Sequence, residues 1–180
     1  MKKLLYIGNN LYQKGKTETT IKTLSESLRS EGFTVYAVSD IKNKAFRLLH
    51  MLLAILKYAR KVDYVLIDTY STSNFYYAYL SSQLCRFLNL KYIPILHGGN
   101  LPNRLIKSPK FSRAIFNNSY INVAPSIYIQ YEFEKRGYSN LICIPNSINI
   151  KNYPFEKRRY ETIKLLWVRS FSEIYNPLLA

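Results

Sequence analysis

Residues 62–96, VDYVLIDTYSTSNFYYAYLSSQLCRFLNLKYIPIL, contain two short apolar runs with a longer aromatic and polar stretch between them. The run 62–68 has the β-branched and aliphatic content of a strand. A helix is predicted over about 73–88, carrying Phe75, Tyr76 and Tyr79. The run 91–96 returns to strand character, although Pro94 would be awkward in a central strand because it lacks an N–H for the ladder. Strand, helix and strand in this order make a crossover unit, which joins parallel strands.

The alternation continues outward on both sides. Toward the N-terminus, KLLYIG at 3–8 reads as a strand ending in Gly8, and 17–31 places Ile21, Leu24 and Leu28 at helical spacing before a stop at Gly32. Residues 33–39 form another strand, and Asp40 is the expected cap of a long helix over 42–60. Toward the C-terminus, a short helix is expected at about 109–118 and a strand at 120–124. Pro125 and Ser126 open a helix that runs to Arg136 and stops at Gly137, and 141–144 is a further short strand. The predicted fold class is α/β, a Rossmann-like, mostly parallel sheet with helices on both faces. Such sheets bind ligands beyond the carboxyl ends of their strands, near the point where strand order reverses.

The expected domain spans 1–150. A polar linker follows at 151–162, and IKLLWV at 163–168 starts another strand. With the chain ending at Ala180, segment 163–180 reads as the first strand and loop of a second domain, or else as a closing strand of the first.

With 48% hydrophobic residues, 6 Gly and 7 Pro, the composition is that of a globular chain. Cys85 and Cys143 lack metal-ligand spacing and read as buried free thiols in a reducing compartment rather than as a disulfide. The apolar stretch in residues 1–8 is too short for a signal peptide, and no run approaches the roughly 20 apolar residues that cross a bilayer. Lys+Arg 26 against Asp+Glu 11 gives a net charge of +15. That charge suits nucleic acid, an anionic membrane surface or a phosphorylated small molecule. Zinc-finger spacing, RRM-type aromatic motifs and an arginine tail are all absent, so no nucleic-acid partner is expected. The segment 42–61 spreads Phe46, Leu48, Leu49, Leu52, Leu53, Ile55 and Leu56 over a broad apolar face. Lys42, Lys44, Arg47, Lys57, Arg60 and Lys61 flank that face. It reads either as a helix packed on the sheet or as one lying in a membrane interface.

Three places carry candidate chemistry. Gly8 and Gly15-Lys16-Thr17 are separated by six residues, not the four that a phosphate-cradling P-loop needs, so this glycine loop is only weakly specific. His97 follows a strand at its carboxyl end, and Gly98-Gly99 after it permit close approach of a ligand. An imidazole there can donate to an oxygen or move a proton, or the stretch is simply a tight turn. Ser126 opens a helix whose exposed N–H groups suit a phosphate or sugar oxygen, unless it serves as an N-cap. Asn146, in a turn after the last strand, could bond a sugar. His50, inside the apolar helix, reads as structural.

Taken together, the Gly15 loop, HGGN at 97–100, VAPSIYIQYEFEKRGY at 123–138, IPNSINI at 144–150 and KLLWVRSF at 164–171 resemble retaining glycosyltransferases of the large family-4 type, with GT-B architecture. The likeness covers residues 3–176. It implies two Rossmann-like domains facing a cleft, the first receiving the acceptor and the second holding a nucleotide-sugar donor. By resemblance, His97 lies near the transferred sugar, with Gly98, Gly99 and Asn100 beside it. Gly15 and Lys16 fall in the flexible glycine loop near the donor phosphates and the acceptor. Ser126 opens the helix after the fifth strand, and Asn146 precedes the interdomain linker. On the donor side, Arg169 and Ser170 stand where the family has a Gly-Arg pair, and Tyr175-Asn176-Pro177 replace its usual Lys-Gly.

The resemblance implies sugar transfer with retention to a glycan or lipid-linked acceptor, with no cofactor and no essential metal ion, at the cytoplasmic face of a membrane. It also implies that the 180-residue chain is inactive without the family's second domain, which carries the pyrophosphate-binding and paired glutamate residues. Two other functions remain open from the residues alone. One is a non-catalytic membrane-docking or regulatory module, and the other is a nucleotide-binding enzyme using the 8–17 loop.

Overall fold

The structure, a computed structural model, describes residues 1–9 and 19–146. Gly15 and Lys16, the 151–162 linker, the 163–168 strand, and Arg169 and Ser170 lie outside the described residues. Met1–Asn146 makes one compact unit.

Among the described residues six parallel strands form one sheet: β1 (Lys3–Ile7), β2 (Thr34–Val38), β3 (Tyr64–Tyr70), β4 (Tyr92–His97), β5 (Asn122–Ala124) and β6 (Leu141–Cys143). Their order is β2-β1-β3-β4-β5-β6, and every adjacent pair is parallel. The chain leaves β1 for β2 on one side and returns to place β3 on the other. Strand order therefore reverses between β1 and β3, whose carboxyl ends are where a doubly wound sheet opens a ligand crevice. The expected α/β Rossmann-like fold is what the chain forms.

The strands alternate their side chains between two covered faces. On one, Leu4, Tyr6, Val35, Leu66 and Ile95 pack under Ile21, Leu24 and Leu28 of α1 (Thr20–Ser30). On the other, Leu5, Ile7, Val65 and Ile67 meet α2 (Lys44–Tyr58) and α3 (Phe75–Phe87). The same layer continues through α4 (Leu101–Lys107), α5 (Pro109–Phe116) and α6 (Ile127–Glu134), around Phe116, Phe133 and Tyr138. Each fully buried side chain of this size contributes about 1.5–3 kcal/mol of transfer free energy. Tyr92 is buried whole, with its hydroxyl donating to Ile115 O at 2.6 Å, so the phenol costs no unsatisfied group.

Local chemistry sets the helix ends. Gly32 adopts φ +89 after α1, and Phe33 N returns to Leu28 O, closing the helix while both residues pack against the same core cluster. The expected cap of α2 at Asp40 is displaced. Helix α2 starts at Lys44, and Asn43 Oδ1 accepts from Ala45 N and Phe46 N at 3.0 and 3.3 Å. Asn43→Ala should therefore cost about 1 kcal/mol in a denaturant titration, while Asp40→Ala should cost little.

A second departure is α4. The stretch after Gly99 reads as loop from sequence, yet Leu101 and Leu105 are buried one turn apart and Pro102 sits in the first turn, where its missing N–H is harmless. Pro94 is accommodated inside the sheet. Tyr92 O accepts from Tyr120 N on the β5 side, so the nitrogen of Pro94 also turns toward β5, where the ladder is shortest.

The apolar face of α2 divides in two. Met51, Ala54 and Ile55 are buried against the sheet, with Leu52 half-buried beside them. Phe46, Leu49, Leu53 and Leu56 stand exposed. Arg47 does not flank that exposed face as the sequence suggests. It is buried, and its guanidinium donates to Ile41 O, Asn9 Oδ1 and Lys42 O, pinning the end of β1 to the turn before α2.

Alkaline pH should weaken this core. Burial pushes the Cys85 thiol from its ordinary value of 9.0 up to about 12, and burial also raises the phenols of Tyr6, Tyr70 and Tyr92 above 10.0. Above about pH 9 the unfolded chain has shed protons that the folded chain still holds, so stability is full below that pH and falls as pH rises through it. A lower urea midpoint at about pH 10.5 than at pH 8 is the expected result, and equal midpoints would refute it.

Candidate functional site at the carboxyl edge of the sheet

β4 ends on His97, one strand away from the reversal of strand order. Its register partner on β3 is Tyr70, and Ile95, two residues earlier, pairs with Asp68. The period of two turns Asp68, Tyr70 and His97 onto the face that also carries Tyr6 of β1. The result is a buried polar cluster drawn from three adjacent strands. His97 Nε2 and Asp68 Oδ1 are 2.8 Å apart, and Tyr6 Oη donates to the same Oδ1 at 2.8 Å. The Tyr70 ring stacks on the imidazole with centroids 4.7 Å apart and planes 17° from parallel.

Relative exposures are 0% for Tyr6, 6% for Asp68 and 7% for His97. Burial raises both tyrosine phenols, and the Asp68 carboxylate beside them raises them further, so Tyr6 stays a neutral donor. A carboxylate accepts only, so the Nε2 of His97 carries the proton of this contact. In the neutral ring, Nδ1 then holds the lone pair. It has no hydrogen-bond partner among the described residues. The acceptor atom of the imidazole is thereby defined by Asp68.

Gly8 lies under this cluster. A Cβ at that position would sit 2.3 Å from Asp68 Oδ2 and 2.9 Å from its Cγ, so only glycine lets β1 pass the carboxylate. Between the ends of β1 and β3 a small cleft opens, lined on its polar side by Asn9, Asp68, Tyr70, Asn74 and Tyr77. Arg47 holds Asn9 on one flank. On another, Arg104 of α4 donates from Nε to Ser71 O at 2.8 Å and lies over the Phe75 ring, tying α4 to the β3–α3 turn. These two arginines brace loops through backbone carbonyls and an amide oxygen.

The other expected site residues spread along the same edge. Gly98, at φ +84, turns the chain out of β4, and Gly99 and Asn100 follow it, all exposed. Ser126 Oγ accepts from Ile129 N at 3.3 Å and is the N-cap of α6, the simpler of its two readings. Asn146 is exposed beyond β6. His97, Ser126 and Asn146 thus share the carboxyl edge of β4, β5 and β6, but only His97 belongs to the buried cluster. His50 stays apart from the site on α2.

Sequence reading missed Asp68, Tyr6 and Tyr70. The available signal was the alternation in YVLIDTY, which puts an acid on the face of a buried strand near its carboxyl end. Among the described residues no three His, Cys, Asp or Glu side chains gather as a metal site, and no helix is long and apolar enough to cross a membrane. Neither a protein-family model nor a curated protein matches this chain.

Proposed function

We propose that Met1–Asn146 is the acceptor-side domain of a retaining glycosyltransferase, with His97 beside the sugar being transferred from a nucleotide-sugar donor to a glycan or lipid-linked acceptor. The observation that supports this most is the aspartate-held histidine at the carboxyl edge, one strand from the reversal of order and followed by the Gly98-Gly99 turn. With Nε2 donating to Asp68, Nδ1 accepts a hydrogen bond from a sugar hydroxyl and takes its proton if one must move. The carboxylate of Asp68 stabilises the ring in its positively charged form, and the stacked Tyr70 fixes its plane. The glycine turn lets a pyranose approach the backbone without meeting a Cβ.

The donor phosphates fall, on this reading, to the Gly15-Lys16 loop and to a second domain that begins at 163 and includes Arg169 and Ser170. The chemistry calls for no resident metal, and the setting is the cytoplasmic side of a membrane. A non-catalytic module is the competing reading. It is favoured by the engagement of both His97 Nε2 and Ser126 Oγ inside the protein.

The deciding experiment assays transfer from labelled nucleotide sugars to lipid-linked and oligosaccharide acceptors, using protein that includes the donor-side domain. Product with the donor's anomeric configuration supports the proposal. Inverted product, or no incorporation from any common nucleotide sugar, contradicts it.

A further inference from the structure

We infer that the outer side of the α2–α3–α5 helical layer is a docking surface for an anionic lipid membrane. On α2, Phe46, Leu49, Leu53 and Leu56 are 64%, 52%, 53% and 53% exposed, and their spacing of three or four residues puts them in one stripe along the side turned from the sheet. Scattered exposed leucines are ordinary on protein surfaces, but a helix-length row of them is not. α3 packs beside α2, with Tyr77 Oη donating to Lys44 O, and carries its own exposed row of Tyr76, Leu80 and Phe87. Tyr76 and Tyr79 in turn touch the ring of Phe111 on α5, so the apolar surface continues across the layer.

The charges around this surface identify its occupant. Exposed Lys42 and Lys44 stand before or at the start of the α2 stripe, and exposed Lys57, Arg60 and Lys61 stand at its end. Arg86, Lys107, Lys110 and Arg113 add exposed cations on α3, α4 and α5. No acidic residue occurs in 41–62 or 69–131, so α2, α3, α4 and α5 carry none at all. Asp63 and Asp68 fall between those segments, the first bound to Lys3 N beside the start of β3 and the second buried in the site.

A second copy of the chain would bring this wholly cationic surface against itself. Like charges would oppose that pairing. Nucleic acid would satisfy the lysines and leave the leucine stripe in water. An anionic bilayer meets both: the side chains of the stripe enter the boundary between headgroups and acyl chains, roughly 5–10 Å deep, while lysines and arginines remain at headgroup level. This inference is independent of the sugar-transfer proposal, because it rests on the helical layer and not on the His97 edge.

The test is sedimentation of the 180-residue chain with vesicles of phosphatidylcholine alone or with about a third phosphatidylglycerol, at low and moderate salt. Binding only to the anionic vesicles, weakened by salt, is expected. The double change Phe46→Ser and Leu53→Ser should lower the partition coefficient at least about fivefold, and Lys57→Glu with Lys61→Glu by about tenfold or more. Circular dichroism should show both variants folded, since all four side chains are exposed. If the serine variant unfolds, the charge variant decides. Absence of binding, equal binding to neutral vesicles, or variants that bind like the parent would overturn the inference. So would a concentration-dependent dimer abolished by the serine changes, or an oligonucleotide complex in place of vesicle binding. None of these readings involves sugar transfer, so failure here removes the membrane setting and leaves the proposed chemistry at His97 to its own assay.

Discussion

Asp68→Ala should destabilise the folded chain by about 2–4 kcal/mol, lowering its melting temperature by roughly 5–15 °C. The alanine leaves the Tyr6 hydroxyl and His97 Nε2–H without their shared acceptor, both in surroundings nearly closed to water. A hydrogen bond to a charged group contributes about 1.5–3 kcal/mol, so two of them set an upper bound near 6. Against that stands the cost of burying the carboxylate in the first place, which the alanine variant recovers. The difference gives the middle range. Asp68→Asn separates the two contributions, because its amide oxygen still accepts from Tyr6 and His97 in nearly the same shape. Asn should cost only about 1 kcal/mol in thermal unfolding. If Ala and Asn cost the same, the hydrogen bonds are not what holds the cluster.

His97→Ala should lower the rate of sugar transfer by about 10²–10⁴-fold, the span of a positioned acid–base or hydrogen-bonding group. The measurement is turnover in the protein with its donor-side domain present. Stability should fall by less than in Asp68→Ala, since the carboxylate keeps Tyr6 as a donor. Asp68→Asn gives the companion result. It preserves the histidine's position but removes the charge that supports a protonated ring, so turnover should fall while stability changes little. A His97→Ala enzyme working at the parental rate would remove His97 from the chemistry.

The fold was legible because parallel α/β sheets announce themselves in composition: short aliphatic strands, longer amphipathic stretches, and glycine or polar stops between them. Strands β1 to β6 and five of the six described helices follow that pattern. Helix α4 escaped because the glycines just before it and the proline in its first turn resemble loop punctuation, although Leu101 and Leu105 carry a single buried turn. The cap of α2 escaped because Asp40 and Asn43 are both good caps, and only backbone geometry chooses between them.

His97 was legible as a candidate from its position after a strand. Its partners were not, because Asp68 and Tyr6 lie in strands far from it in sequence, and only the register of β1, β3 and β4 brings them together. The helix at 42–61 was ambiguous for a related reason. Periodicity shows that a helix is apolar, but not which of its leucines the sheet will cover. The structure leaves Leu49, Leu53 and Leu56 outside and takes Met51 and Ile55 in.

The most direct measurement of the central claim is nitrogen-15 NMR of the His97 ring during titration of the chain with glycan acceptors and nucleotide sugars. The account predicts an imidazole with its proton on Nε2 in the free protein and a shift at Nδ1 as a saccharide binds, absent in parallel titrations of Asp68→Ala. A ring protonated on Nδ1, or Nε2 and Nδ1 signals that no saccharide moves, would contradict it.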